Sequence, residues 1–244
     1  ASTERVRAAI HEVVDANPAW GVRKVWATLR REYDLRVGHK RVWALMNADG
    51  LTLPAGERRL PELPRGQVTV EEPDRRWATD LTTVYTEEDG VVAVVPVVDC
   101  GCRSVLAVTV TKPQNAIAVL AAVRLALDEQ FGDPACVPDG LELRTDHGPQ
   151  YTGADCAALC DEWGLEHSFA PVGRPTGNAV AERLIRTMKE ECIWLRDWRS
   201  VDELRAALDD WQRRYNERRP HQALGWATPE ERRCERLGTT RVAA

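Results

Sequence analysis

Three stretches between residues 77 and 111 decide how this chain folds: WATDLTTVY (77–85), VVAVVPVVD (91–99) and SVLAVTVT (104–111). Each is short and rich in β-branched residues, and Asp89–Gly90 supplies a tight turn between the first two, the pattern of an antiparallel meander. Toward the C-terminus, residues 114–130 read as an Ala/Leu-rich amphipathic helix and 141–145 as a strand. A helix over 153–163, a strand over 165–169 and a long helix from 178 follow. Three strands, helix, strand, helix, strand, helix predicts an α/β fold: a mixed five-stranded sheet with helices on both faces. Ser200 or Val201 opens a further helix to about residue 218, and Pro229 opens a short last one.

Toward the N-terminus the pattern changes. Residues 54–73, PAGERRLPELPRGQVTVEEP, hold four prolines and two glycines without a helical period, which predicts a semi-extended linker. Residues 3–50 read as three short helices. Ser2 or Thr3 caps the first; the second runs over about 22–32 with Val25, Trp26 and Leu29 on one side. The third follows Gly38, with His39, Lys40 and Arg41 in its first turn and Trp43 and Met46 expected inward. Cations at a helix N-terminus oppose the macrodipole. That local cost makes sense if the turn meets phosphates or base edges, as a recognition helix does; the alternative is a structural module with a solvated basic face. The expected divisions are a helical helix-turn-helix-like domain (1–53), a linker (54–73), a core (74–200) and a C-terminal helical extension with a basic segment (201–240).

The chain has 244 residues, 43% hydrophobic and 29% charged, an ordinary globular composition. Its longest apolar run, residues 91–98, is far shorter than the roughly twenty residues a spanning helix needs. The first residues are charged at once, with no apolar signal-peptide core, so secretion is not expected. A first residue of Ala points to a longer natural chain. The net charge of −5 hides a division: residues 1–65 sum to +4, 66–170 to −12 and 171–244 to +3. Phosphate binding needs local positive charge, so basic ends suit DNA and the acidic middle suits cations. The seven cysteines form no CxxC pair. Cys100 and Cys102 are expected on one face of a strand and Cys156 and Cys160 on one helix, but no His lies at finger spacing. Reduced thiols in the core are expected, without structural zinc. The nine tryptophans are expected mostly in the core, among them Trp163, Trp194, Trp198 and Trp211 in helical segments.

Three carboxylates stand out. Asp80 lies inside the first predicted strand, where a carboxylate is costly unless paired or metal-bound. Asp146 follows the fourth predicted strand directly, and Glu182 lies on the long helix. On a helical wheel, Asn178, Arg186 and Lys189 fall within about 40° of Glu182, while Ala181, Leu184, Ile185 and Met188 form the adjoining apolar face. A carboxylate with two cations further along one helix face suits a metal ion beside a phosphate backbone. Two divalent ions about 4 Å apart clamp the attacking and leaving oxygens of a phosphodiester displacement.

These motifs together are recognisable. GVRKVWATLRRE (21–32) with VGHKRVWALMNADGL (37–51), WATDLTTV (77–84), VVDCGCRSV (97–105), LRTDHGPQYTG (143–153), GNAVAERLIRTMKEE (177–191) and YNERRPHQALGWATPEE (215–231) run nearly end to end. The chain resembles the integrase-like (DDE) transposases of the bacterial insertion-sequence family with two overlapping reading frames, specifically the second-frame product, which are related to retroviral integrases. Between Asp146 and Glu182 lie 35 residues, the spacing that group is known for.

The resemblance implies a ribonuclease-H-like fold with Asp80, Asp146 and Glu182 as both catalytic triad and ligands of two Mg2+ or Mn2+ ions. Such enzymes expose a 3′ hydroxyl at transposon ends and use it to attack another phosphodiester bond, without a covalent protein–DNA intermediate. DNA contact is expected from His39, Lys40, Arg41, Asn178, Arg186 and Lys189, and from Arg213, Arg214, Arg218 and Arg219 around the polar segment Tyr215, Asn216 and His221. His147 and Gln150 are expected to support the site, His147 more through loop hydrogen bonding than proton transfer. Two departures, Pro149 before Gln150 and Gly177 before Asn178, leave the triad intact. Implied partners are the transposon ends, target DNA, further copies of this chain and the first-frame protein of the same element. The rivals are a catalytically inactive or domesticated DNA-binding protein and a ribonuclease acting on RNA–DNA hybrids.

Overall fold

The structure, a computed structural model, describes residues 2–54, 70–171 and 178–238. Most of the expected linker, and Gly177, lie outside the described residues. The chain divides into two units, one holding Ala1–Leu63 with Arg219–Thr228 and the other Pro64–Arg218 with Pro229–Ala244.

In the smaller unit, α1 (Thr3–Ala16), α2 (Val22–Arg31) and α3 (His39–Ala48) enclose Val6, Ile10, Val25, Leu29, Val42 and Met46. Ser2 caps α1 by accepting from the Arg5 N–H. Trp43, expected inward beside Met46, is instead 54% exposed. A ten-residue helix closing a small core buries one narrow stripe, and Val42 and Met46 fill it. The turn at Gly225 and Trp226, both at positive φ, belongs to this unit, where Trp226 packs edge-on against Trp26.

In the larger unit the sheet comprises β1 (Arg76–Thr79), β2 (Thr82–Thr86), β3 (Gly90–Asp99), β4 (Val105–Thr111), β5 (Glu142–Thr145) and β6 (Glu166–Phe169). Strands β1, β2 and β4 pair antiparallel to β3, while β1–β5 and β5–β6 are parallel. There are six strands where five were expected, because the first predicted strand is broken. Its register against β3 is nevertheless continuous: Thr79 pairs with Val97 and Thr82 with Val94, which sets Asp80 opposite Pro96. Proline has no N–H to donate, so the ladder opens there. The Thr79 hydroxyl donates to the Pro96 carbonyl instead, at 3.0 Å. Asp80 therefore stands in a gap just past β1, not within a strand.

Helix α4 (Ala116–Gln130) covers one sheet face with Trp77, Val95, Val97 and Leu143. Helices α7 (Ala179–Glu191) and α8 (Val201–Glu217) cover the other with Ala78, Val84, Val92, Val94 and Val98. Being covered on both faces explains why β3 reads as an almost unbroken apolar run. The expected boundary at residue 200 crosses one continuous core, since Leu204, Leu208, Trp211 and Tyr215 of α8 bury with the sheet. Two short helices, α5 (Pro149–Thr152) and α6 (Ala154–Trp163), follow β5, and α9 (Pro229–Leu237) ends the described chain. Cys100 and Cys102 lie in the turn after β3 rather than on a strand, because Asp99 accepts from the Gly101 and Cys102 N–H groups and folds the chain back. Trp163, Trp198 and Trp211 are buried as expected, whereas Trp194 is 65% exposed and carries the Lys189 ammonium over its ring.

Candidate active site at the carboxyl ends of two parallel strands

Ala78 of β1 pairs with Arg144 of β5, so Asp80 and Asp146, each two residues further on, leave neighbouring parallel strands side by side. Alternation turns Asp80 to the Ala78 side of the sheet, the face that α7 covers. Asn178 ties that helix to the same point: its side-chain amide donates to the Thr79 carbonyl at 3.0 Å. Glu182 then stands in the first turn of α7, exposed. The crevice outside the carboxyl ends of parallel strands is where open α/β sheets bind ligands.

The three carboxylates share an electrostatic field. Asp80 is half-buried, and its pKa is pushed from 3.8 up to about 6, first by burial and then by the negative charges of Asp146 and Glu182. The Leu81 N–H, 2.8 Å from Oδ1, and the Lys189 ammonium pull the other way without cancelling the rise. Asp146 Oδ1 accepts from the Gly148 N–H at 2.9 Å. A Cβ at position 148 would stand 2.9 Å from that same oxygen, so only glycine leaves the carboxylate where it is. Gln150 donates to the Gln114 carbonyl at 3.1 Å, anchoring α5, and the exposed His147 ring stacks on Phe169 at 4.9 Å.

This donor set fits a hard divalent cation: the Asp146 and Glu182 carboxylates stand close enough to help raise the pKa of Asp80, and among the described residues Lys189 is the cation that bears on it. Asn178 Oδ1 is buried and has no partner among the described residues, a further unsatisfied oxygen at the same strand end. Among the described residues, the one group of three whose ligand atoms all lie within 4.8 Å of one another is Cys156, Cys160 and His167. The triad oxygens are therefore gathered by strand register and helix position but are not in mutual ligand contact.

Residues 70–175 and 163–229 match models of an integrase core domain, and residues 2–59 match an HTH-like domain. The transposase InsD of insertion element IS2A/D/F/H/I/K from Escherichia coli is 31% identical over 250 residues, covering 95% of this chain and 80% of that protein. This chain belongs to the insertion-sequence transposases. It is a polynucleotidyl transferase of the DDE type. Its backbone also follows a chain of the simian T-cell lymphotropic virus intasome solved in complex with the PP2A regulatory subunit B56 gamma, with a TM-score of 0.52 and 15% identity over 93% of this chain and 74% of that one. The HTLV-2 integrase catalytic core, solved in complex with magnesium, aligns over 66% of this chain and 97% of its own at a TM-score of 0.46 and 18% identity. The integrase-core matches and the intasome chain give the larger unit of the transposase the ribonuclease-H-like fold of integrase cores.

The basic residues of the transposase are not equally free. His39, Lys40 and Arg41 are exposed at the start of α3, whose N-cap Gly38 offers no side-chain acceptor to the helix N–H groups. Arg41 also donates to Thr3 Oγ1 at 2.9 Å. Arg186 is 67% exposed and paired with Glu190 one turn on, and Arg213 and Arg214 both pair with Asp210. Arg218 is exposed, but Arg219 is buried, its guanidinium 3.1 Å from the His221 ring. Asn216 is spent on structure, its amide accepting from the Val105 N–H at 2.9 Å and donating to the Val105 carbonyl at 2.8 Å.

Proposed function

We propose that Asp80, Asp146 and Glu182 hold two divalent ions, Mg2+ or Mn2+, and that the transposase uses them to cleave and join DNA at insertion-sequence ends. The observation that carries this reading is the level exit of Asp80 and Asp146 from paired strands, with the start of α7 tied to the same strand end through Asn178. When bound, the ions neutralise charge on the transferring phosphate and lower the pKa of an attacking water or 3′ hydroxyl. The protein's part is positional. Gly148 fixes the Asp146 carboxylate, Leu81 orients Asp80, and Asn178 keeps Glu182 over the strand ends. In the first step water oxygen attacks phosphorus and the 3′ oxygen leaves with a proton. In the second that hydroxyl attacks a target phosphodiester and displaces another 3′ oxygen.

The same reading assigns DNA contact to His39, Lys40 and Arg41 on α3, to Arg186 and Lys189 on the triad helix, and to Arg213, Arg214 and Arg218; Asn178, expected among them, is buried and bonded to the Thr79 carbonyl, and its part is to hold α7 in place. The i,i+3 and i,i+4 pairs that hold Arg186, Arg213 and Arg214 are surface pairs worth well under about 1 kcal/mol, which phosphates displace readily. Arg219, being buried, is left out. Residues 1–53 serve as the end-recognition domain, 54–73 as linker and 74–200 as catalytic core, with α8 of the 201–240 extension built into that core. Action as a homo-oligomer with the first-frame protein, in the cytoplasm, completes the proposal. Among the described residues no helix is long and apolar enough to cross a membrane.

Incubating the protein with labelled oligonucleotides bearing the element's ends, with Mg2+, Mn2+ or EDTA, tests the assignment. Metal-dependent 3′-end cleavage and joined products are expected from the wild type and none from Glu182→Gln, with DNA affinity and fold retained. Wild-type rates from that variant would remove Glu182 from the site, and preferential cleavage of an RNA–DNA hybrid would favour the ribonuclease reading. Lys189→Ala is expected to weaken DNA binding and make the slope of log K against log salt shallower by about one. An unchanged slope would mean Lys189 meets no phosphate.

A further inference from the structure

Behind the Asp146 loop lies a group of side chains that the transfer reaction does not use. Cys156 and Cys160, one turn apart on α6, face His167 on β6, and one ligand atom from each lies within 4.8 Å of the others. Both thiols are buried, 0% and 4% exposed, and the imidazole is partly buried. The Cys156 sulfur stands 3.9 Å from the His167 ring nitrogens. No carboxylate belongs to the group, so it is chemically distinct from the triad.

Hydrogen bonding fixes the form of the histidine. Thr145 Oγ1 donates to the Asp146 carbonyl at 2.9 Å, so toward His167 Nε2, 3.0 Å away, it acts as acceptor. Nε2 therefore carries the ring proton and Nδ1 keeps its lone pair, with the Cys156 sulfur 3.9 Å from each nitrogen. This is the arrangement by which proteins orient a metal-binding imidazole, one nitrogen donating to a neighbouring oxygen and the other free. Burial lowers the His167 pKa, favouring the neutral ring. The hydrogen bond between the thiols lowers the Cys156 pKa and, with burial, raises that of Cys160, so the pair loses its first proton at Cys156.

We propose that Cys156, Cys160 and His167 form a binding site for a single thiophilic d10 cation, Zn2+ by class, with two thiolates and one imidazole as protein ligands. Soft sulfur donors select such ions over the hard Mg2+ that suits three carboxylates. Binding releases the two thiol protons to solvent and changes no oxidation state. Such an ion ties α6 to β6 and, through Thr145, to the base of the Asp146 loop.

Cobalt(II) titration of the full chain, stripped of metal and kept reduced, tests this. The expected result is one equivalent of Co2+ bound with a thiolate-to-cobalt charge-transfer band and tetrahedral d–d bands, abolished by equimolar Zn2+ and untouched by millimolar Mg2+. Cys156→Ala and Cys160→Ala, small-for-small changes in a core position, are each expected to weaken cobalt binding by at least about 100-fold. Asp146→Asn should keep the band, which separates this site from the proposed catalytic one. Zn2+ should also raise the melting temperature of the wild type but not of Cys160→Ala. No charge-transfer band in the wild type, or a band that persists in both cysteine variants, would overturn the proposal. So would a Cys156–Cys160 disulfide found in protein purified without reductant and resistant to zinc.

Discussion

Asp80→Asn is expected to do two opposite things: lower strand transfer by at least about 1000-fold, and raise the melting temperature of the metal-free protein at pH 8 by about 4 °C. The loss of activity follows from removing one of three carboxylates proposed to hold the ions, at several kcal/mol of transition-state stabilisation and about 1.4 kcal/mol per factor of ten. The gain in stability follows from the raised pKa. Asp80 titrates near 6 in the folded protein against 3.8 ordinarily. The unfolded chain therefore releases this proton first, and ionised Asp80 opposes folding. That cost is absent below about pH 4, grows between pH 4 and 6, and is complete above 6. Two units correspond to about 3 kcal/mol at most, and partial solvent access reduces it to about 1–2 kcal/mol. For a chain of this size, 1 kcal/mol moves the melting temperature by about 2–4 °C. Asn carries no charge, so the stabilities of variant and wild type should converge as the pH falls to 4. Adding Mg2+ should stabilise the wild type alone. Thermal melts across pH in EDTA and in Mg2+ check all of this. A variant no more stable than wild type at pH 8, with no convergence at pH 4, would mean that the three carboxylates do not share a field.

The same carboxylates show what sequence can and cannot disclose. The strands were legible because β-branched runs broken by Asp89–Gly90 leave few alternatives, and the helices because their apolar positions recur at helical spacing. Asp146 and Glu182 stood out as candidate ligands because one follows a strand directly and the other shares a helix face with Arg186 and Lys189. The gap at Asp80 was written in Pro96, but reading it required knowing that β3 pairs with both β1 and β2 in one register. Trp43 and Trp194 misled because hydrophobicity predicts burial only where a core has room, and both lie outside the stripe their neighbours fill. Cys156 and Cys160 were visible as helix neighbours, while His167 joins them only through the packing of α6 beside β6. Zinc-finger spacing cannot signal a site assembled that way. Arg219 looked like one of four equivalent arginines, and only the fold separates the buried one from those paired on the surface.

Arg233→Met is expected to destabilise the larger unit by about 3–5 kcal/mol, on the order of 10 °C in melting temperature. Arg233 on α9 donates to Asp74 at 2.8 and 3.1 Å, lies 3.4 Å from Asp99 and donates to Gln130 at 2.9 Å. Asp99 is fully buried, and its carboxylate already accepts from the N–H groups of Asp74, Gly101 and Cys102 at 2.7–3.0 Å. Those N–H groups favour the charged form, yet burial outweighs them and the Asp99 pKa is raised. Arginine is thus the only cation within ion-pair distance of Asp99 among the described residues. Methionine fills much of the volume but leaves two buried carboxylates uncompensated. The raised Asp99 pKa sets the sign of the pH effect: stability falls as pH rises through it, and losing Arg233 lifts it further. The deficit of Arg233→Met should therefore be larger at pH 8 than at pH 5. Adding Asp99→Asn should recover part of it, although the amide cannot accept all three N–H bonds as a carboxylate does. Urea denaturation of the two single variants and the double variant at both pH values measures the coupling. If the deficit were the same at pH 5 and pH 8 and the two substitutions simply additive, α9 would be held by packing alone. Because Asp99 shapes the turn after β3, and Pro96, opposite Asp80, lies only three residues back along the same strand, the ion pair steadies the end of β3 against which the first carboxylate emerges.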